Sequence, residues 1–264
     1  MLLTSVDAKE SFMSRARRIT AKDKKMSRRE KEGSRMDTKF SMNQIRPLTD
    51  NQGHFFDSYN AGYNIAAIGT AGTGKTMCGL YLGLCDILSN DNYHQVIIVR
   101  SAVQTREQGF MPGTLQQKEA VYALPYADIV NDLFGRGDAW SILSQKSSVK
   151  FMTSSFVRGL TFDNSIIIVD ECQSMTYHEL DSIITRVGDS SRIIFCGDTA
   201  QDDLAGTRHK HDNSGLQDFL KVLSRMDHSF KVVQFGIEDI VRSGLVKEYI
   251  IAKERTELKP RMVA

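Results

Sequence analysis

Short, almost wholly apolar runs recur along the chain, and most are followed by a polar loop and then by apolar residues at helical spacing. The runs are 65–68 (IAAI), 94–99 (HQVIIV), 149–152 (VKFM), 165–169 (SIIIV), 192–196 (RIIFC) and 230–235 (FKVVQF). A run this short and this apolar reads as a strand buried on both faces, and its alternation with helices calls for crossover connections. The predicted fold is α/β, a mostly parallel sheet with helices on both faces. The helical segments are expected after a cap at Thr49 or Asp50, with Phe55, Phe56 and Tyr59 on one side, and directly after Thr76. Further helices are expected over 120–146, broken at Pro125 and at the turn 135–137, over 177–187 and over 214–226. A last helix within 236–250 is expected to carry Arg242.

Polarity divides the chain into two parts. Residues 1–42 have no sustained apolar stripe and crowd Arg15, Arg17, Arg18, Lys22, Lys24, Lys25, Arg28, Arg29 and Lys31 together. They read as a basic arm, flexible or partly helical, and two uses stay open: a solvated tail, or an electrostatic arm for nucleic acid. Residues 43–264 read as one folded domain. With 41% hydrophobic and 25% charged residues the chain has the composition of an ordinary globular protein. A formal charge of +2 gives no general basic character. The four cysteines, Cys78, Cys85, Cys172 and Cys196, form no CxxC pair and fall in predicted core elements, which suits buried thiols in a reducing compartment. No apolar run reaches the length of a membrane span and no leader pattern opens the chain, so the expectation is a cytoplasmic protein with no membrane partner.

The chemistry concentrates at the ends of the strands. The first strand runs into GTAGTGKT, residues Gly69, Thr70, Ala71, Gly72, Thr73, Gly74, Lys75 and Thr76, and then into a helix. Glycines let successive amide groups point inward at phosphate oxygens, and the helix start adds the positive end of its dipole. Lys75 is expected to bridge the β- and γ-phosphates, and the Thr76 hydroxyl to ligate Mg²⁺. This is a nucleoside triphosphate site. The fourth strand ends in Asp170 and Glu171, where Asp170 is expected to hold Mg²⁺ through water and Glu171 to activate the attacking water.

The fifth strand ends in GDTAQ, which puts Asp198 and Gln201 on the same edge. They sense the γ-phosphate or position the lytic water, or else form a plain Gly-Asp turn. Gln52, ahead of the first strand, has an amide able to read both halves of an adenine edge. The polar stretch 100–113 offers Arg100 and Arg106 to phosphates. Its Phe110 either stacks a base or anchors the loop. His209 and His211 read as solvated surface rather than a metal site.

Taken together, PLTDNQ (47–52), GTAGTGKT (69–76), RSAVQTREQGFMPG (100–113), FVRGLTF (156–162), IIIVDECQSMT (166–176), FCGDTAQDDL (195–204), SGL (214–216) and DIVRSGLV (239–246) resemble the PhoH-like ATPases. These are relatives of the superfamily 1 helicase core, and the likeness is greatest to a phage-type, single-domain member, so the host cytoplasm is the implied location. Two departures stand out: Cys172 where the family has alanine, and Asp202 where it has isoleucine.

The resemblance implies a RecA-like P-loop NTPase that uses ATP and Mg²⁺, with Gln52 at adenine and Lys75 and Glu171 in catalysis. It also implies that Gln173 and Gln201 couple nucleotide state to a bound strand, and that Arg242 is an arginine finger. The implied partner is single-stranded nucleic acid, RNA before DNA, with helicase-like activity and no intrinsic nuclease. Beyond the arm the chain has room for one RecA-like domain, so Arg242 is expected to act on a neighbouring subunit of a homo-oligomer such as a hexameric ring. An ATP-dependent switch or scaffold without motor activity is the alternative. A small-molecule kinase ranks third, since Glu171 suits water activation and no lid is visible.

Overall fold

The computed structural model describes residues 40–89, 92–101, 115–198 and 215–257. Among these, six strands form one parallel sheet in the order β3-β2-β4-β5-β1-β6. They are β1 (Asn64–Gly69), β2 (Gln95–Arg100), β3 (Val149–Thr153), β4 (Ser165–Asp170), β5 (Arg192–Gly197) and β6 (Phe230–Phe235). Every apolar run of the sequence is a strand. Burial follows position in the sheet: β4 is buried along its whole length, whereas the edge strands β3 and β6 alternate with exposed residues such as Val232. Central strands of a parallel sheet are covered on both faces, which is why they read as unbroken apolar runs.

The helices are α1 (Asp50–Asn60), α2 (Lys75–Ser89), α3 (Leu115–Phe134), α4 (Ala139–Gln145), α5 (Tyr177–Ile184), α6 (Leu216–Leu223) and α7 (Gly244–Glu257). One face of the sheet packs Ile68, Val99, Ile167, Val169 and Phe195 against Leu180 and Ile183 of α5 and Leu216 and Phe219 of α6. On the other face α2 lies against Ile166, Ile168 and Ile194. Each such Ile or Leu contributes about 1.5–3 kcal/mol when fully buried. Thr49 caps α1 by accepting from the Gln52 amide, and Thr176 and Glu179 form a reciprocal box at the start of α5. This is the RecA-like arrangement, with β5 inserted between the P-loop strand β1 and the Asp-Glu strand β4.

Two expectations are corrected. Pro125 does not break its helix: α3 runs through it. Pro125 and Val121, whose carbonyl loses its amide partner to the proline, are both exposed, so water can serve the orphaned group. Arg242 is not helical. After β6 the chain makes a 3₁₀ turn (Ile237–Asp239), and α7 starts only at Gly244. The Val241 amide donates instead to the Gly72 carbonyl (3.1 Å), so this backbone is committed to the P-loop. Among the described residues no helix is long and apolar enough to cross a membrane.

Candidate nucleotide site

All the strands run the same way, so their carboxyl ends share one edge. The register sets Arg100 of β2 beside Asp170 of β4 and beside Thr153 of β3, and Gly69 of β1 beside Phe235 of β6. Ligands of open parallel sheets bind at this edge, and the sequence motifs collect there.

The P-loop has its sharp backbone where the glycines are. Gly69 has φ +132, and a Cβ on it would collide with the Phe235 carbonyl oxygen, so no side chain fits between β1 and β6. Gly72 has φ +76, and a Cβ there would meet Cγ of Arg242 at 2.9 Å and Cδ1 of Ile250 at 3.4 Å. Arg242 therefore lies against the P-loop of its own chain. Inside the loop Lys75 Nζ donates to the carbonyls of Gly69 and Thr70, both at 2.7 Å, and to Thr73 Oγ1 at 3.3 Å. Burial lowers the Lys75 ammonium below the ordinary lysine value, opposed by the carboxylates of Asp198, Asp170 and Glu171.

Gln52 sits 4% exposed behind the loop. Its Nε2 donates to the Thr73 carbonyl (2.9 Å) and its Oε1 accepts from the Leu48 amide (2.7 Å). The amide expected at adenine thus braces the phosphate loop from α1. A second brace joins α1 to the turn after β6. Asn51 Nδ2 donates to Asp239 Oδ2 (2.7 Å), which also accepts from the Gly236 amide (2.9 Å).

Thr76 at the start of α2 and Asp170 at the end of β4 meet: Thr76 Oγ1 donates to Asp170 Oδ1 at 2.8 Å. The other oxygen, Oδ2, accepts from the Tyr126 hydroxyl of α3 at 2.9 Å. Burial, and then the charge of Glu171, push the Asp170 carboxyl above its usual range, while the bonds from Thr76 and Tyr126 and the charge of Arg100 pull it back. Burial also raises the Tyr126 phenol, which stays protonated and a donor. A hydroxyl and a carboxylate at this distance, beside a second carboxylate, form an all-oxygen donor set. Such a set fits Mg²⁺, and Thr76 and Asp170 are the residues that would hold it.

Glu171 follows with φ +52, the left-handed region that residues other than glycine seldom enter. Gln173 Nε2 donates to Glu171 Oε2 (2.5 Å), and Gln173 Oε1 accepts from the Asp198 amide (3.0 Å). One buried glutamine thereby ties the Glu171 carboxylate to the end of β5. Asp198 is 6% exposed. Gln201, Arg106, Phe110, His209 and His211 lie outside the described residues, as do residues 1–39 of the 1–42 arm. No cluster of three or more His, Cys, Asp or Glu able to hold a metal occurs among the described residues.

Tyr126 and Asp239 are the site residues that sequence reasoning missed. An aromatic at helical spacing reads as core, and a lone Asp in a turn reads as a solvated cap. The Asn51 and Gln52 pair ahead of β1 was the nearest available signal.

The family model described as PhoH-like protein matches residues 44–254. The PhoH-like protein of Mycobacterium leprae is 31% identical over 209 residues, covering 79% of this chain and 58% of the relative. The PhoH-like protein of Bacillus subtilis is 30% identical over 212 residues, covering 80% and 64%. The chain thus spans less than two thirds of the length of these curated relatives. Among solved structures, the large terminase of a thermophilic bacteriophage is similar with a TM-score of 0.46 and 9% identity, over 82% of this chain and 52% of that one. Because the family match takes in every strand of the sheet and the whole of the site around Lys75 and Asp170, the chain belongs to the PhoH-like protein family.

Proposed function

We propose that the chain hydrolyses ATP to ADP and phosphate, and that turnover changes its grip on single-stranded nucleic acid, RNA before DNA, in a helicase-like manner. The observation that carries the reading is the closure of Thr76 on Asp170, with Glu171 next in the chain and Lys75 one residue before Thr76, all on one sheet edge. Bound there, Mg²⁺ supplies charge neutralisation for phosphate oxygens. Lys75 contributes the cation inside the loop, and leaves its carbonyl partners for the stronger acceptor that a phosphate offers. Glu171 orients the attacking water and takes its proton. Gln173 holds Glu171 in place and, through Asp198, links it to the segment that leads to Gln201.

The same edge offers a surface to a strand. Beyond β3 most residues are exposed around a buried Val157: Phe156 is 45% and Leu160 41% exposed, with Arg158 exposed between them. An exposed aromatic beside a cation suits base stacking and phosphate contact. Arg242 is read as an arginine finger of a homo-oligomer such as a hexameric ring. Its packing on Gly72 of the same chain makes action on its own loop the competing geometry. Mixing Arg242→Ala with Lys75→Ala chains separates the two, since action across subunits restores turnover and action within a chain does not.

The deciding measurement is ATP turnover with and without poly-U at several salt concentrations. Stimulation that weakens as salt rises is expected. Turnover indifferent to every nucleic acid favours the second reading, an ATP-dependent switch or scaffold without motor activity. That reading has one observation on its side: α7, which abuts the P-loop through Ile250, exposes Leu245, Val246 and Tyr249. No hydrolysis under any condition removes the enzyme reading altogether.

A further inference from the structure

We infer that Tyr126 is a positioning residue that aims the Asp170 carboxylate at the metal position, an inference that rests on the reading of this site as one for Mg²⁺ and a nucleotide. Asp170 has two oxygens, and two different elements hold them. Thr76 at the start of α2 donates a hydrogen bond to Oδ1, and Tyr126 of α3 donates one to Oδ2. A carboxylate gripped at one oxygen can turn about its last torsion, which is broad for aspartate. Gripped at both, it keeps Oδ1 toward Thr76. The Thr76 oxygen and Oδ1 then stand side by side, 2.8 Å apart, each with a lone pair left for a cation.

The grip at Oδ2 is itself supported. Tyr126 is 2% exposed, and its ring packs against Phe151 of β3 at a centroid distance of 5.7 Å, tilted by 31°. Its hydroxyl has one proton, and that O–H donates to Asp170. Arg100, the last residue of β2 and register partner of Asp170, adds a nearby positive charge without being the residue that fixes the torsion. Thr76 meets the metal and the carboxylate together, so it cannot orient one independently of the other. Among the described residues the Tyr126 hydroxyl bonds Asp170 and no residue of the phosphate loop, so it is able to orient Asp170 alone. Supporting residues of this kind typically set metal affinity by about 10–100-fold.

The test uses the full chain and the variant Tyr126→Phe, which keeps the ring on Phe151 and removes only the hydroxyl. Binding of a fluorescent ATP analogue is measured in EDTA and across a Mg²⁺ titration, with thermal midpoints for both proteins. The expected result is affinity in EDTA within about twofold of the natural chain, and a Mg²⁺ concentration for half-maximal tightening raised by about tenfold. An unchanged Mg²⁺ response in the variant overturns the role of Tyr126 while the site reading stands. Equal weakening with and without Mg²⁺ overturns it in favour of a purely structural part. A natural chain whose affinity ignores Mg²⁺ sinks the site reading itself, and this inference with it. Phe151→Leu, which leaves the hydroxyl but loosens the ring, is expected to shift the Mg²⁺ response the same way by a smaller factor. No shift there, with Tyr126→Phe unfolded, also overturns the proposal.

Discussion

Arg192 and Asp198 sit just inside and just beyond the two ends of β5, on opposite edges of one sheet, and they keep different company. At the amino edge the Arg192 guanidinium stacks 3.6 Å over the ring of Tyr59, donates to the carbonyls of Tyr59 (2.5 Å) and Tyr63 (2.7 Å), and pairs with Asp86 at 3.6 Å. Asp86 in turn accepts from the Tyr59 hydroxyl at 2.7 Å. One cation, one anion and an aromatic thus partner one another, with only Arg192 Nε among the atoms of this group buried without an acceptor. At the carboxyl edge Asp170, Glu171 and Asp198 crowd around a single buried lysine, Asp170 is pushed toward its neutral form, and Glu171 has a left-handed backbone. Positive φ in a residue with a side chain costs on the order of 1 kcal/mol. The amino edge is arranged for stability, and the carboxyl edge holds negative charge in excess, which a bound cation would offset.

The sharpest way to break this contrast is Glu171→Gln. If Glu171 is the base, as proposed, its removal is expected to lower ATP turnover by about 10²–10⁴-fold. The thermal midpoint should equal or exceed that of the natural chain, because a charge that raises Asp170 is gone. A clear fall in midpoint would mean that Glu171 serves the fold, and the contrast between the edges would fail. Arg192→Ala probes the opposite edge. Truncating one member of a buried pair costs about 3–5 kcal/mol, and partial exposure here reduces the expectation to about 2–3 kcal/mol. Urea unfolding reads the loss, and turnover per folded molecule should be unchanged. A loss of turnover greater than the loss of folded protein would show that the two edges are coupled through β5.

Much of this was legible because parallel strands buried on both faces leave apolar runs that no loop would carry, and SIIIV and RIIFC are as plain as such runs become. The phosphate loop and the Asp-Glu pair were legible for another reason, since each is contiguous and its chemistry depends on neighbours in the chain. What could not be read was contact between distant segments. Tyr126 lies 44 positions from Asp170 and Asn51 lies 188 from Asp239, and no local pattern marks either pair. Pro125 misled because a proline's effect depends on whether water reaches the carbonyl four residues back. Arg242 misled because the Val241 amide has a better acceptor in Gly72 than a helix would give it. Nor could the sequence show that the Gln52 amide, expected at adenine from its chemistry and from the family resemblance, also holds Thr73 and Leu48, using one of its two N–H donors and one of its oxygen lone pairs.

Asp239 sharpens the comparison from within, because it stands past β6 on the site's edge yet has the balanced surroundings of the other. Burial raises its carboxyl, but hydrogen bonds from Thr49, Asn51 and the Gly236 amide outweigh that and leave it below the usual carboxylate value. A carboxyl lowered by folding adds stability above its unfolded pKa, about 3.9 for Asp, and loses it as pH falls through the lower folded value. Asp239→Asn keeps an oxygen for the donors from Asn51 and Gly236 and removes the charge. Its expected cost is about 1 kcal/mol at pH 7, as for a hydrogen bond to a charged group rather than a neutral one. That cost should be constant between pH 7 and pH 5 and shrink once the pH drops below about 3.9. Urea unfolding of both chains at pH 7, 5 and 3.5 measures the difference directly. If the difference is the same at all three, the carboxylate charge contributes nothing to bracing the P-loop, and the turn after β6 is held by its shape alone.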